Sequence, residues 1–161
     1  YNEGVNLYNK QDYTMAYYEF IDVVNSNCPR LNKYKGIASN FLGIINKFGL
    51  GRDKDIYASI INFKTASDYN NDSAQFNLAK MYLEGDGVQP NISEGLYYLK
   101  IASYNNNIDA ILILATIYET GSSGEKKNLK EAYSLYSYAV NTLKTNNNKI
   151  IQGYKRLKKY F

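Results

Sequence analysis

The chain has 161 residues with 19 basic and 15 acidic side chains, and its net charge of +4 is mild and looks spread along the sequence rather than gathered in blocks. It has no His, and its single Cys cannot form an internal disulfide. This composition argues against nucleic-acid binding, a structural zinc site and catalysis by a His base, so we expect no nucleic acid, metal or cofactor among its ligands.

A chain of this length can bury the core of one ordinary domain. No apolar run approaches the roughly 18 residues that a membrane-spanning helix needs. The longest such run, ILILA at 111–115, is typical of one face of a helix. The sequence begins at Tyr1 without an initiator Met, so we expect it to be part of a longer protein.

The predicted elements are helix pairs that follow one another in a single domain over residues 1–161. We place the units at 1–29, 30–72, 73–107, 108–148 and, as a partial unit, 149–161. Residues recur between the central units at a spacing of 36 or 37, which is the mark of a repeat architecture. The recurring residues are mostly small or apolar: Ala38, Leu42, Gly43, Gly49, Gly51, Ala66, Ala74, Leu78, Ala79, Tyr82, Gly85, Gly87, Ala102, Ala110, Leu114, Ala115, Tyr118, Gly121, Ala132 and Ala139.

Each unit predicts two helices, as residues 73–107 illustrate. The first helix has one apolar face, formed by Ala74, Leu78, Met81 and Tyr82. Gly85 ends that helix, because glycine readily adopts the left-handed conformation of a C-cap. The second helix is expected to begin with Ser93 as its N-cap and to end at the Asn run 105–107.

The last stretch, IIQGYKRLKKYF, has the pattern of a first helix without its partner. Its apolar face would stay open unless something covers it. The sequence therefore predicts either further repeats or a homo-oligomer formed through this C-terminal helix.

The central pattern is A-x-x-x-L-[GA]-x-x-Y, then G-x-G-V, then a small residue followed by Y-x-L-x-x-A. It resembles the Sel1-like repeat of the tetratricopeptide-repeat superfamily. Residues 74–103 match it best, and residues 110–139 match it apart from an expanded loop, GSSGEKKN. Residues 38–66 depart further, because Asn46 stands where the family prefers Tyr. The stretch GVNLYNKQDYTMAYYEF near the start resembles the tetratricopeptide form.

This resemblance implies an all-α fold, a right-handed α-solenoid of antiparallel helix pairs with about three full repeats and partial terminal ones. Proteins with such repeats serve as scaffolds in signalling, in protein quality control and in bacterial host interaction. We therefore expect a non-enzymatic adaptor that binds a protein or peptide on the concave face of the superhelix.

In solenoids of this kind the first helix of each pair lines the concave side. The repeat register then predicts nine partner-binding side chains: Asn40, Ile44, Lys47, Phe76, Lys80, Leu83, Leu112, Thr116 and Glu119. Apolar anchors bordered by Lys and Thr suit the recognition of a peptide in a groove. The alternative, that some of these side chains pack against the neighbouring repeat, is equally compatible with the sequence.

Two other functions stay open at this stage. The chain could be a structural spacer in a larger multidomain or membrane-associated complex, or a Sel1-like protein that binds or hydrolyses β-lactams. The lone Cys slightly favours the cytoplasm. Two Asn-X-Ser sequons, at Asn71 and Asn91, leave the secretory route and the lumen of the endoplasmic reticulum open.

Overall fold

The fold is described from a computed structural model of all 161 residues and consists of α-helices. The helices are α1 (Asn2–Asn9), α2 (Tyr13–Asn25), α3 (Asn32–Phe48), α4 (Ile56–Asp68), α5 (Asp72–Glu84), α6 (Ile92–Tyr104), α7 (Ile108–Thr120), α8 (Leu129–Asn141) and α9 (Asn148–Lys158), with a short 3-10 turn at Pro29–Leu31. None of the helices combines the length and the hydropathy that a membrane span requires.

Each helix packs against the helices that precede and follow it in the chain. The pairs α1–α2, α3–α4, α5–α6 and α7–α8 therefore stack in series, and α9 packs on α8 without a second helix of its own. The buried side chains form three clusters along this stack, rather than one central core. The predicted all-α solenoid of helix pairs is confirmed.

Glycine ends the first helix in each of the three central pairs. Gly49, Gly85 and Gly121 have φ angles of 66°, 71° and 74°, in the left-handed region, and each donates its backbone N–H to the carbonyl four residues back. The chain can therefore turn back at once towards its second helix. In the pair α5–α6 a hydrogen bond fixes this return, because the N–H of Asn91 donates to the carbonyl of Tyr82 at 2.9 Å.

Asparagine begins the later helices. Its side-chain oxygen accepts a backbone N–H in the first turn, and the helices α5 to α9 are capped in this way by Asn71, Asn91, Asn107, Asn128 and Asn147. The prediction of Ser93 as the N-cap of α6 is wrong, because that helix already begins at Ile92. Five asparagines of this chain thus have a structural use as N-caps.

Within each helix pair, the side chains that face each other across the two helices are matched in size. Gly43 lies where the later units have Ala79 and Ala115, and a Cβ added to it would lie 2.5 Å from the ring of Phe63 on α4. The next unit has Leu99 at the position of Phe63, and both Ala79 and Leu99 are fully buried. The smaller residue on one helix therefore accompanies the larger residue on the other.

Ser39 and Asn46 are exceptions in this core, and Asn46 has the larger buried polar side chain without a hydrogen-bond partner. Its side chain is 1% exposed, yet neither its amide oxygen nor its amide nitrogen has a hydrogen-bond partner. We expect Asn46→Leu to raise the free energy of unfolding by about 1–3 kcal/mol, because an unsatisfied buried polar group is penalised by about that amount. Urea titration followed by circular dichroism measures the change.

The exposed Asn9 provides a matched control for this exchange. Asn9→Leu should change the stability by less than about 0.5 kcal/mol, since it touches no buried feature. A destabilised Asn46→Leu variant would show that the amide makes a favourable contact that the apolar side chain loses.

Candidate functional site

The first helices α3, α5, α7 and α9 present their outward side chains on one face, which we call the A-helix face. The nine residues predicted for partner binding all lie on these helices, but their exposure differs along the stack. Towards α3 the predicted residues pack between units, whereas on α7 they line an open groove.

On α3 and α5 most of the predicted residues take part in packing. Asn40 and Lys47 are each 9% exposed, and Ile44, Phe76 and Leu83 are half-buried against the central core cluster. Lys80 on α5 is half-buried as well.

Polar contacts join the two units at this end of the A-helix face. Asn77 donates to the side-chain oxygen of Asn40 at 3.3 Å. The Lys47 ammonium lies 2.8 Å from the carboxylate of Asp86, which follows α5. This part of the face therefore holds consecutive units together and offers a partner little open surface.

On α7 the three predicted residues Leu112, Thr116 and Glu119 come together in a groove of about 690 Å³ between α7 and α9. Thr116 is exposed, and Leu112 and Glu119 are half-buried. The groove also includes Thr120 at the end of α7. The structure thus brings together only the C-terminal third of the predicted set at an accessible recess.

The other walls of the groove come from residues that the sequence analysis did not identify. Side chains of α9 and of the turn after it form one wall: Lys149, Gln152, Arg156 and Leu157 on α9, and Tyr160 beyond its end. Lys127, Leu129 and Tyr136 contribute from the loop after α7 and from α8. Aligning the N-caps Asn107 and Asn147 would have found much of this wall, because it places Gln152 and Arg156 at the positions of Leu112 and Thr116.

An ion pair spans the groove from α7 to α9. Nε and Nη2 of Arg156 donate to the two carboxylate oxygens of Glu119, both at 2.7 Å. The hydroxyl of Tyr136 donates to the same carboxylate at 3.2 Å. A bidentate Arg–carboxylate pair fixes direction as well as distance, so it holds α9 in register on α7.

These contacts determine the protonation states of Glu119 and Tyr136 in the groove. Hydrogen bonding from Arg156 holds the pKa of the Glu119 carboxyl below its ordinary value, and burial raises the pKa of the Tyr136 phenol. Glu119 is therefore ionised and Tyr136 protonated at neutral pH. Because the folded pKa of Glu119 is lowered, the stabilisation from this pair is present above its unfolded pKa and is lost as the pH falls through the lowered value.

The other two ion pairs also connect one repeat unit to the next. Lys47–Asp86 joins α3 to the loop after α5, and Lys100–Glu125, at 2.6 Å, joins α6 to the loop after α7. Lys47 lowers the pKa of Asp86, and Glu125 raises the pKa of Lys100. The ionisable groups with shifted pKa values in these pairs thus link consecutive repeats.

The chain has a single S-x-x-K spacing, from Ser123 to Lys126, which is the spacing of a β-lactam-reactive Ser and its Lys. These residues lie in the loop between α7 and α8, and not on one turn of a helix. The arrangement lacks the i, i+3 helical geometry that brings two such side chains together.

The repeats match a known family. The family model described as Sel1 repeat matches residues 36–68, 72–107 and 108–141, which together make up more than half of the chain. None of the curated proteins matches this sequence.

Several solved structures are similar to this chain, and one of them matches almost its whole length. It is the crystal structure of a Sel1 repeat protein from Oxalobacter formigenes, with a TM-score of 0.79 and 24% sequence identity, and the match covers 99% of this chain and 60% of that one. At that identity the likeness shows the fold alone. The family match and the stacked helix pairs agree, and the chain belongs to the Sel1 repeat family.

Proposed function

We propose that this chain is a non-catalytic scaffold that holds a protein partner on its A-helix face, with the groove between α7 and α9 as the main contact. Sel1 repeats generally mediate protein–protein interaction. The observation that supports this particular groove is its composition: apolar side chains such as Leu112 and Leu129 lie beside polar and charged ones such as Thr116 and Lys149. Peptide-binding grooves combine apolar anchors with a polar rim in this way.

The rigidity of the groove also favours binding. Tyr136 packs between α7 and α9 with only 2% of its surface exposed, and Ile150 and Leu157 of α9 belong to the same buried cluster as Ile111 of α7. A partner would therefore meet a recess that is already formed and would lose little free energy in ordering it.

Photo-crosslinking tests the proposal without disturbing the core. Phe76 is half-buried, so a charge placed there would test folding as well as binding, whereas Thr116 is exposed inside the groove. We expect p-benzoylphenylalanine at Thr116 to yield a discrete protein adduct on illumination in an extract of the source organism. The same amino acid at Lys64, which is exposed on α4, is the matched control and should yield none.

The structural-spacer alternative gives a different outcome. A spacer would form no adduct from Thr116, or would form equal amounts from Thr116 and Lys64. Either result would count against the A-helix face as a binding surface.

A further inference from the structure

The positive charge of this protein is concentrated at its C-terminal end. Residues 125–161 contain nine basic and two acidic side chains, a net charge of +7, whereas residues 1–124 contain ten basic and thirteen acidic side chains, a net charge of −3. The two parts together give the total of +4. The expectation of evenly spread charge is therefore wrong, because the acidic residues of the earlier repeats hide the basic block in the total.

Part of this basic block faces the groove. Lys127 and Lys149 line it from the loop after α7 and from the start of α9, and both are exposed and outside the three ion pairs of the structure. Arg156 also lines the recess, with 53% of its side chain exposed, although Glu119 binds it. The groove thus holds three cations and one carboxylate.

We propose that this groove selects an acidic, extended segment of a partner protein, in which carboxylates alternate with apolar side chains. This inference rests on the proposed function and names the chemistry of the partner. The carboxylates pair with Lys127 and Lys149 at the rim, and the apolar side chains lie on Leu112 and Leu129. Alternation suits an extended peptide, since its successive side chains point to opposite sides.

Glu119 has a defined role in this scheme. Its carboxylate accepts two hydrogen bonds from the guanidinium of Arg156, and a carboxylate of the partner would bind the same group. Glu119 therefore competes with the partner from within the protein and lowers its affinity. Removing that charge frees Arg156 for the partner, while removing the lysines takes away the attraction.

A membrane or a polynucleotide is a less suitable occupant of this site. The lysines in question border a recess with apolar side chains and Tyr136 at its base, which a flat lipid surface does not enter. A polynucleotide is recognised by a continuous basic track with stacking aromatics, whereas this recess carries the Glu119 carboxylate in its wall.

Fluorescence anisotropy with defined peptides tests the inference on the full chain. The probe is a labelled peptide of about ten residues with alternating Glu and Leu, which is about 33 Å long when extended. Its partner probe has Gln in place of every Glu. We expect the Glu peptide to bind about tenfold more tightly or better at low ionic strength and to lose this advantage as salt is added.

Three variants make the test specific to the groove. Lys127→Glu with Lys149→Glu should weaken binding of the Glu peptide by about tenfold or more, since two rim attractions become repulsions. Lys10→Glu with Lys64→Glu changes the net charge equally at exposed sites outside the groove and should have little effect. Glu119→Gln should tighten binding by about threefold to tenfold, because Arg156 becomes available.

Circular dichroism and thermal unfolding show that each variant is folded, and Lys127→Gln with Lys149→Gln replaces the charge-reversed pair if that pair is unstable. Equal binding of the Gln peptide, equal losses in the two lysine pairs, weaker binding by Glu119→Gln, or preferential binding to phosphatidylserine vesicles or to an oligonucleotide would each overturn the inference. If neither peptide binds while Thr116 still crosslinks to a protein, the acidic partner is wrong and the scaffold function stands. If Thr116 does not crosslink, the proposed function fails for this groove.

Discussion

Replacing Tyr136 with Ala is expected to lower the free energy of unfolding by about 3–5 kcal/mol and to detach α9 from the stack. Tyr136 is among the largest of the fully buried side chains and belongs to the C-terminal cluster with Ile111, Ile150 and Leu157. The backbone of α9 approaches its ring closely, since a Cβ on Gly153 would lie 2.6 Å from Cε2. Truncation would leave a cavity beneath α9, where the ring now meets the helix backbone.

Tyr136→Phe separates the ring from the hydroxyl. This variant loses only the hydrogen bonds to Glu119 and Thr116 and should lower the stability by about 1 kcal/mol. Hydrogen exchange resolves the effect along the chain, because repeat proteins can open locally from one end. Equal stability of the Ala and Phe variants, or unchanged protection of α9 in the Ala variant, would show that Tyr136 does not hold this helix.

Gly43→Ala is expected to lower the free energy of unfolding by about 1–3 kcal/mol, despite the better helix propensity of Ala, because the added methyl group meets the ring of Phe63. Phe63→Leu alone should also destabilise, by about 1 kcal/mol, through lost contacts. The double variant reproduces the pair Ala79 and Leu99 of the next unit. It should therefore be more stable than the sum of the single effects by about 1–3 kcal/mol.

The reciprocal exchange in the next unit is the matched control. Ala79→Gly with Leu99→Phe copies the pair of the preceding unit and should show a coupling of the same sign. Urea titration of the four single variants and two double variants provides both cycles. Additive effects in both would contradict the size matching between equivalent positions of the repeats.

The sequence alone predicts the fold well because the signals that set it are local and repeated. Recurring alanines identify the packed faces, and recurring glycines such as Gly85 identify the helix ends, since each is tied to a fixed position in the unit. The sequence pattern predicts Ser93 rather than Asn91 as the N-cap of α6 because both residue types cap helices, and only the position of the first turn distinguishes them.

The site is predicted less well because exposure depends on the distance between units. Lys47, Leu83 and Glu119 share one position of the repeat, yet Lys47 is buried in a contact with Asp86 and Glu119 lines a groove. The repeat register predicts the same environment for all three residues. In the structure α3 and α5 contact each other directly, and this contact buries Lys47. The groove also depends on α9, whose register differs from the spacing of 36, so its wall is found only when the N-caps Asn107 and Asn147 are aligned.

Crosslinking scanned over both faces of the stack tests the central claim most directly. Photoreactive residues at Lys80, Thr116 and Thr120 report on the A-helix face, and those at Ile61, Lys64 and Tyr97 report on the exposed side of α4 and α6. We expect adducts with one protein from the first set, strongest at Thr116 and Thr120, and none from the second. Adducts from α4 and α6, with none from α7, would show that the partner binds elsewhere and that the groove is not the functional site.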